Sequence, residues 1–286
     1  MTSTAAPEQA EHTHPGPPRR RPGKLATTLA FLRAEFVEEL SYPLSFAFSI
    51  LRSVLPLLLS FFIAQLVRDE RVGGDYLTFV AVGLGVTAML GGALSGFGAS
   101  LQRAFQRGTL ETYLVEPVPW TFLPFAMNMW QVLLGMFNGT ILMVFGSLLG
   151  ANYELSAIPA FVLLVLIGLL ATTAIGILSS AVLMLTLKSQ PILLVYGMAA
   201  SLLAGSVFSV SQLPDWLRFF SYLIPHTYVI NGARGLLMAD PGSFTIEYST
   251  AMTVLVSFTV IVLPLGVWMF RRTLELARRL GLLSGY

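Results

Sequence analysis

The chain has 286 residues, 55% of them hydrophobic and 11% charged, with a mean hydropathy of +0.74 and a net charge of +2. A soluble domain carries about 25% charged residues, so the composition points to lipid as the surrounding solvent. The small net charge, not gathered into a basic patch, argues against nucleic acid. The absence of cysteine excludes disulfides, thiolate metal sites and cysteine nucleophiles, and His12, His14 and His226 are too scattered for a metal cage.

Residues 1–23 are rich in Pro, Thr, Glu and Arg and read as a disordered tail. No short apolar core with a cleavage site follows Arg19-Arg20-Arg21, so the tail is not read as a secretory signal. Leu25, Leu29, Leu32, Phe36 and Leu40 then recur at helical spacing, with Thr28, Arg33, Glu35, Glu38 and Glu39 over much of the remaining surface. This pattern predicts an amphipathic helix lying in the membrane interface; a soluble helix packed on a partner is the alternative.

A hydrocarbon core ~30 Å thick needs about 20 apolar residues per helix. Stretches of that kind run over 43–67, 76–101, 124–150, 158–187, 192–210 and 250–270. The expected fold is therefore an all-α membrane protein of six spans. Arg19, Arg20, Arg21, Lys24, Arg33, Arg103, Arg107, Lys188, Arg271, Arg272, Arg278 and Arg279 fall on one side, against Arg68, Arg71, Arg218 and Arg234 on the other. The bias places both termini in the cytoplasm. Arg52 lies inside the first span, where its long side chain can snorkel.

Small residues recur at every fourth position: Gly168, Thr172, Gly176 and Ser180 in one ladder, Gly197, Ser201, Gly205 and Ser209 in another, with pairs at Gly92/Gly96 and Gly135/Gly139. Such stripes let helix backbones approach closely, either as ordinary bundle packing or as a sliding seam. Asn128, Gln131, Gly135 and Asn138 share a face of the third span that should point inward. Residues 212–234 are too polar to span and too apolar for a solvated loop. Their aromatic residues, among them Trp216 and Tyr228, with Pro225 and Arg234, predict two short helices broken at Pro225 and dipping into the outer leaflet.

The acidic residues all lie in tails, loops or span edges, which argues against a proton-coupled carrier. No Gly-x-x-x-x-Gly-Lys-Ser/Thr phosphate loop occurs, and no Ser-His-Asp set or carboxylate pair speaks for an enzyme. What stands out is the polar island from Arg103 to Pro119 between two apolar runs. Thr109 can cap a short helix, Glu111 favours the positive end of its dipole, and Pro117 and Pro119 end it. Arg103, Arg107, Glu111 and Glu116 would then be free to pair with a cytoplasmic partner, or the helix would simply terminate the second span and face water.

Arg107-Gly108-Thr109-Leu110-Glu111, followed by Leu114 and Glu116-Pro117, resembles the coupling-helix segment of type-2 ATP-binding-cassette (ABC) transporter permeases. Leu213-Pro214-Asp215-Trp216-Leu217, through Pro225-His226-Thr227-Tyr228 and on to Arg234, is similar to that family's signature between spans five and six. The resemblance makes residues 24–279 a permease domain, with a short cytoplasmic tail over 280–286. It implies a multi-pass subunit of a bacterial cytoplasmic membrane that pairs with a second copy or a sister permease and sits in membrane lipid. It also implies two copies of a separate ABC ATPase subunit, which would hold ATP and magnesium; this chain would hold no cofactor and no metal. Arg103, Arg107, Gly108, Thr109, Glu111, Glu116 and Pro117 would contact the ATPase. Phe61, Phe62, Tyr196, Ser201, Gly205 and Phe208 would line the pathway or dimer seam. Trp216, Pro225, Tyr228 and Arg234 would build the outer helices, and His226 would cap or hydrogen-bond among them rather than act as a ligand.

The expected function is export of an amphipathic or hydrophobic cargo such as a drug, an antibiotic or a lipid. A polysaccharide or glycolipid exporter is the rival within the class. An ATP-independent channel or ion-coupled carrier, and a membrane-embedded enzyme or scaffold, are the rivals outside it.

Overall fold

The computed structural model describes residues 24–66, 73–106, 123–186, 190–239 and 245–279, which are mostly helical with no strand among them. The main helices are α1 (Lys24–Leu40), α2 (Pro43–Leu66), α3 (Gly73–Gln106), α4 (Leu123–Leu148), α5 (Ile158–Thr186), α6 (Gln190–Leu203), α7 (Asp215–Ser221), α8 (Pro225–Leu237) and α9 (Tyr248–Arg279). Single 3₁₀ turns precede α5 and α7, at Leu155–Ala157 and Val210–Gln212.

Among the described residues, four stretches are long and apolar enough to cross a membrane: Tyr76–Arg103, Pro124–Leu148, Leu155–Val182 and Tyr248–Leu276. These correspond to four of the six expected spans. Of the other two, the first falls on α2, a helix of 24 residues with an internal Pro56. Proline withholds a hydrogen bond from the preceding turn, and Ser60 Oγ donates to the Pro56 carbonyl at 2.8 Å.

The stretch 192–210 is not one helix. α6 has 14 residues, about 21 Å at 1.5 Å per residue, and ends at Leu203. Gly205 then takes a φ of 75°, a left-handed conformation that stops a helix and suits glycine. The expected ladder Gly197, Ser201, Gly205, Ser209 is therefore broken: its first half lies on α6 and its second half in the turn beyond.

α3 is the axis of the bundle. It packs against α2, α4, α5, α6 and α8, and α9 closes the far side against α5 and α8. Lipid offers no hydrophobic drive for two helices to associate, so close backbone approach must supply the attraction. Between α3 and α4 the two expected small-residue pairs meet: a Cβ on Gly92 would fall 2.0 Å from the Gln131 carbonyl, and one on Gly135 2.8 Å from that of Met89. On α5, Thr172 and Ser180 are buried, their hydroxyls spent on the Gly168 and Gly176 carbonyls at 2.8 and 2.7 Å.

Among the described residues, three buried clusters fill the bundle. The largest joins Val86, Leu90, Leu164, Val229, Ile230 and Leu255 of α3, α5, α8 and α9. A second is centred on Phe97 and Phe270, packed edge to face at 5.1 Å. The third fastens α2 through Val54 and Leu57 to Leu77, Ala81 and Leu142. Of the inward face expected on α4, Asn128 is buried, and its Nδ2 donates to the Ala93 carbonyl (3.1 Å) and to Thr173 Oγ1 (3.3 Å).

Candidate functional site

At the base of the bundle, the last turn of α3 is tied to α1. Arg103 Nη2 donates to Glu35 Oε2 at 2.8 Å, to Oε1 at 3.0 Å and to Ser100 Oγ at 2.9 Å. Ser100 Oγ in turn donates to the Met127 carbonyl of α4 at 3.3 Å. Three helices thus converge on one guanidinium in the last turn of α3. Glu35 was legible only as part of the polar face of α1; its partner, 68 residues away, carries no local signal. The remaining expected ATPase contacts, Arg107, Gly108, Thr109, Glu111, Glu116 and Pro117, lie outside the described residues.

Toward the other end, α7 and α8 part at Pro225, which occupies the first turn of α8, where a missing N–H costs nothing. Trp216, Phe219 and Leu223 are exposed. Tyr228 is half-buried and its hydroxyl donates to the Tyr222 carbonyl at 3.0 Å. His226 is buried against Tyr196, with Nδ1 and the phenol oxygen 3.4 Å apart and the rings edge to face. Burial pushes the His226 imidazole down to about 4, because the charged form would lose its hydration, so the ring is neutral.

Arg234, expected among the outer helices, has partners that local pattern did not reveal. It is fully buried. Its Nη1 donates to the Gly205 carbonyl (2.7 Å) and Asn231 Oδ1 (3.3 Å), and its Nη2 to the Ser206 carbonyl (2.9 Å). Both Nε and Nη2 reach the Phe79 carbonyl at 3.2 Å, and the guanidinium carbon stands 3.3 Å from the Phe79 ring centroid. A buried charge is tolerable only when its donors are satisfied, and here carbonyl dipoles and a π face do that work. Gly83 makes room: a Cβ there would meet Ser206 O at 2.0 Å and Arg234 Nη2 at 2.5 Å. Arg234 therefore fastens α8, α3 and the turn after α6. A charged residue in an otherwise apolar stretch, with Asn231 one helical turn before it, was the available signal.

The expected seam residues do not share one environment. Phe61 packs against the α2 cluster and lies edge to face with Phe62 at 5.6 Å, while Phe62 is exposed. Tyr196 and Phe208 are half-buried. Ser201 is exposed, with its hydroxyl donating to the Met198 carbonyl at 2.9 Å. Gly205 is buried within the chain. Among the described residues no group of His, Cys, Asp or Glu could hold a metal ion.

A family model described as ABC-2 type transporter matches residues 30–238. The match runs from α1 past the end of α8 and takes in the Glu35–Arg103 tie, the polar island and the Arg234 cluster. Among curated proteins none matches the chain. With four full-length apolar helices and a match over most of its length, the chain belongs to the ABC-2 type transporter family, as a membrane-embedded permease subunit.

Proposed function

We propose that this permease is the transmembrane half of an exporter. It would move an amphipathic or hydrophobic cargo outward through a pair of permease copies, using ATP that a separate ABC ATPase subunit binds with magnesium and hydrolyses. The carrying observation is the family match across the polar island, in a sequence without a phosphate loop of its own. The bundle supports a way to use such a motor. α3, with 34 residues, is about 51 Å long, with Arg103 near one end and Phe79, beneath Arg234, near the other. A push on the island at the end of α3 would be carried along a stiff helix to the outer elements.

In this reading both termini face the cytoplasm of a bacterial cell, Arg107, Thr109, Glu111 and Glu116 meet the ATPase, and the exposed apolar face of α2, with Phe62, meets the second permease.

The test is transport by reconstituted protein. Vesicles holding this chain and its ATPase should export amphipathic fluorescent dyes only with Mg-ATP, and Arg107→Ala or Glu111→Ala should leave ATP hydrolysis running without export. Dye movement by this chain alone would overturn the reading.

A further inference from the structure

α6 is held very differently along its shaft and at its end. On the shaft Val195, Met198, Ser201 and Leu202 are exposed, Tyr196 and Gly197 are half-buried and Ala200 is buried, and the polar contact from Tyr196 to His226 is long, at 3.4 Å. At the C-terminal end the turn is fixed from several directions. Ser206 Oγ donates to the Ser201 carbonyl at 2.7 Å, and the Gly205 and Ser206 carbonyls receive the Arg234 guanidinium at 2.7 and 2.9 Å. Just beyond, Arg218 Nη2 holds the Ser211 and Leu213 carbonyls at 2.9 and 3.1 Å. Hydrogen bonds from a charged donor are roughly twice as strong as neutral ones, so the shaft gives way before the turn does.

We infer that α6 is a lever pivoting on the Gly205–Ser206 turn, with Arg234 as the pin that holds the pivot to α3 and α8. Gly205 supplies the bend, since its positive φ lets the helix stop and the chain reverse without strain. The pin keeps the pivot stationary while the opposite end of α6, near Gln190, swings and separates Tyr196 from His226. Arg234 is a positioning residue here: it contacts no cargo and acts by fixing the turn. Hinge motion of this kind concentrates change in a few terminal residues while the packed elements stay rigid.

The chain has no cysteine, so introduced cysteines carry spin labels without background. Gly91 on α3 faces open space, Val195 lies on the exposed side of α6, and Gln212 is exposed just past the turn. In the resting full-length protein, without ATPase or nucleotide, the Gly91→Cys/Val195→Cys pair should give a distance distribution clearly broader than the Gly91→Cys/Gln212→Cys pair. Adding Arg234→Met should broaden the second pair toward the first. Equal widths in the otherwise wild-type chain, or a broader distribution at 212, overturn the pivot, and this comparison needs no arginine variant to fold. Because it uses neither ATP nor cargo, it stands or falls separately from the export reading.

Discussion

Arg234 holds Phe79 twice: its guanidinium stacks on the ring, 3.3 Å from the centroid, and donates to the carbonyl of the same residue at 3.2 Å. The two residues are 155 positions apart in sequence. Removing one side of such a buried arrangement strands the other. Arg234→Met leaves the Gly205, Ser206 and Phe79 carbonyls short of a donor, and each unsatisfied buried group costs about 1–3 kcal/mol. The expected loss is at least ~3 kcal/mol, read as a fall in thermal midpoint of the detergent-purified protein. Arg234→Lys should recover less than half of it, because one ammonium cannot match the planar fork that reaches all three carbonyls.

Gly83→Ala should act on the same unit. Its Cβ would intrude on the Ser206 carbonyl and on Arg234 Nη2, so the guanidinium or the turn must move. The double variant Gly83→Ala/Arg234→Met should be less destabilised than the sum of the single variants, with a coupling of about 1 kcal/mol, as for groups sharing one network. Simple additivity in melting experiments would separate the two positions.

Gly205→Leu tests the turn itself. A side chain there would meet the Phe208 carbonyl and Val210 Cγ2 at 2.8 Å, on a backbone at φ 75° that costs a non-glycine residue about 1–2 kcal/mol. Gly205→Ala already carries the backbone penalty and the first clash; Gly205→Leu adds bulk inside the chain. The ranking wild type, Ala, Leu in descending thermal midpoint is expected for the purified protein on its own. A loss that develops only when two permeases assemble would instead put position 205 at the seam between copies.

Much of this architecture could be read along the chain, because span length and the break at Pro225 are local properties. Apolar runs marked α3, α4, α5 and α9, and Pro225 stands where α8 begins. The end of α6 could not be read that way. Gly197, Ser201, Gly205 and Ser209 keep helical spacing, so Gly205 reads as one more rung of a ladder, whereas its left-handed φ of 75° ends the helix. The Gly205 and Ser206 carbonyls that this turn frees are taken up by Arg234, 28 to 29 residues on, a partner that no local pattern announces. Glu35 and Arg103 are obscure for the same reason: an ion pair between a first helix and the foot of a third leaves no periodic trace. The polar island, by contrast, was conspicuous in composition, and most of its residues lie outside the described ones.

His226 makes stability pH-dependent. Burial holds its folded value at about 4, below the ordinary 6.5, so folding favours the neutral ring. The contribution is fully present above about 6.5 and is lost as pH falls from there toward 4. Wild-type protein should therefore lose more of its thermal midpoint between pH 7.5 and pH 5 than His226→Asn does, although the asparagine variant starts lower for want of the ring packed on Tyr196. Parallel curves would mean that His226 is already charged, or already hydrated, at neutral pH.

The Glu35–Arg103 pair should matter more to coupling than to folding. Both side chains keep some exposure, 19% and 30%, so the bridge is screened and contributes only up to about 1 kcal/mol. Glu35→Gln should therefore barely move the melting curve. In the proposed coupling its role would be larger: the pair ties α1 to the last turn of α3, which in sequence precedes the segment proposed to receive the ATPase stroke. With that tie loosened, the end of α3 would yield locally, and less of the proposed stroke would reach α7 and α8. Glu35→Gln and Arg103→Gln should each lower dye export per ATP hydrolysed, and the exchanged pair Glu35→Arg/Arg103→Glu should recover part of the loss, since the attraction survives reversal while the Ser100 contact does not. Exchange without any recovery, in protein that melts like the wild type, would assign Arg103 to direct contact with the ATPase instead.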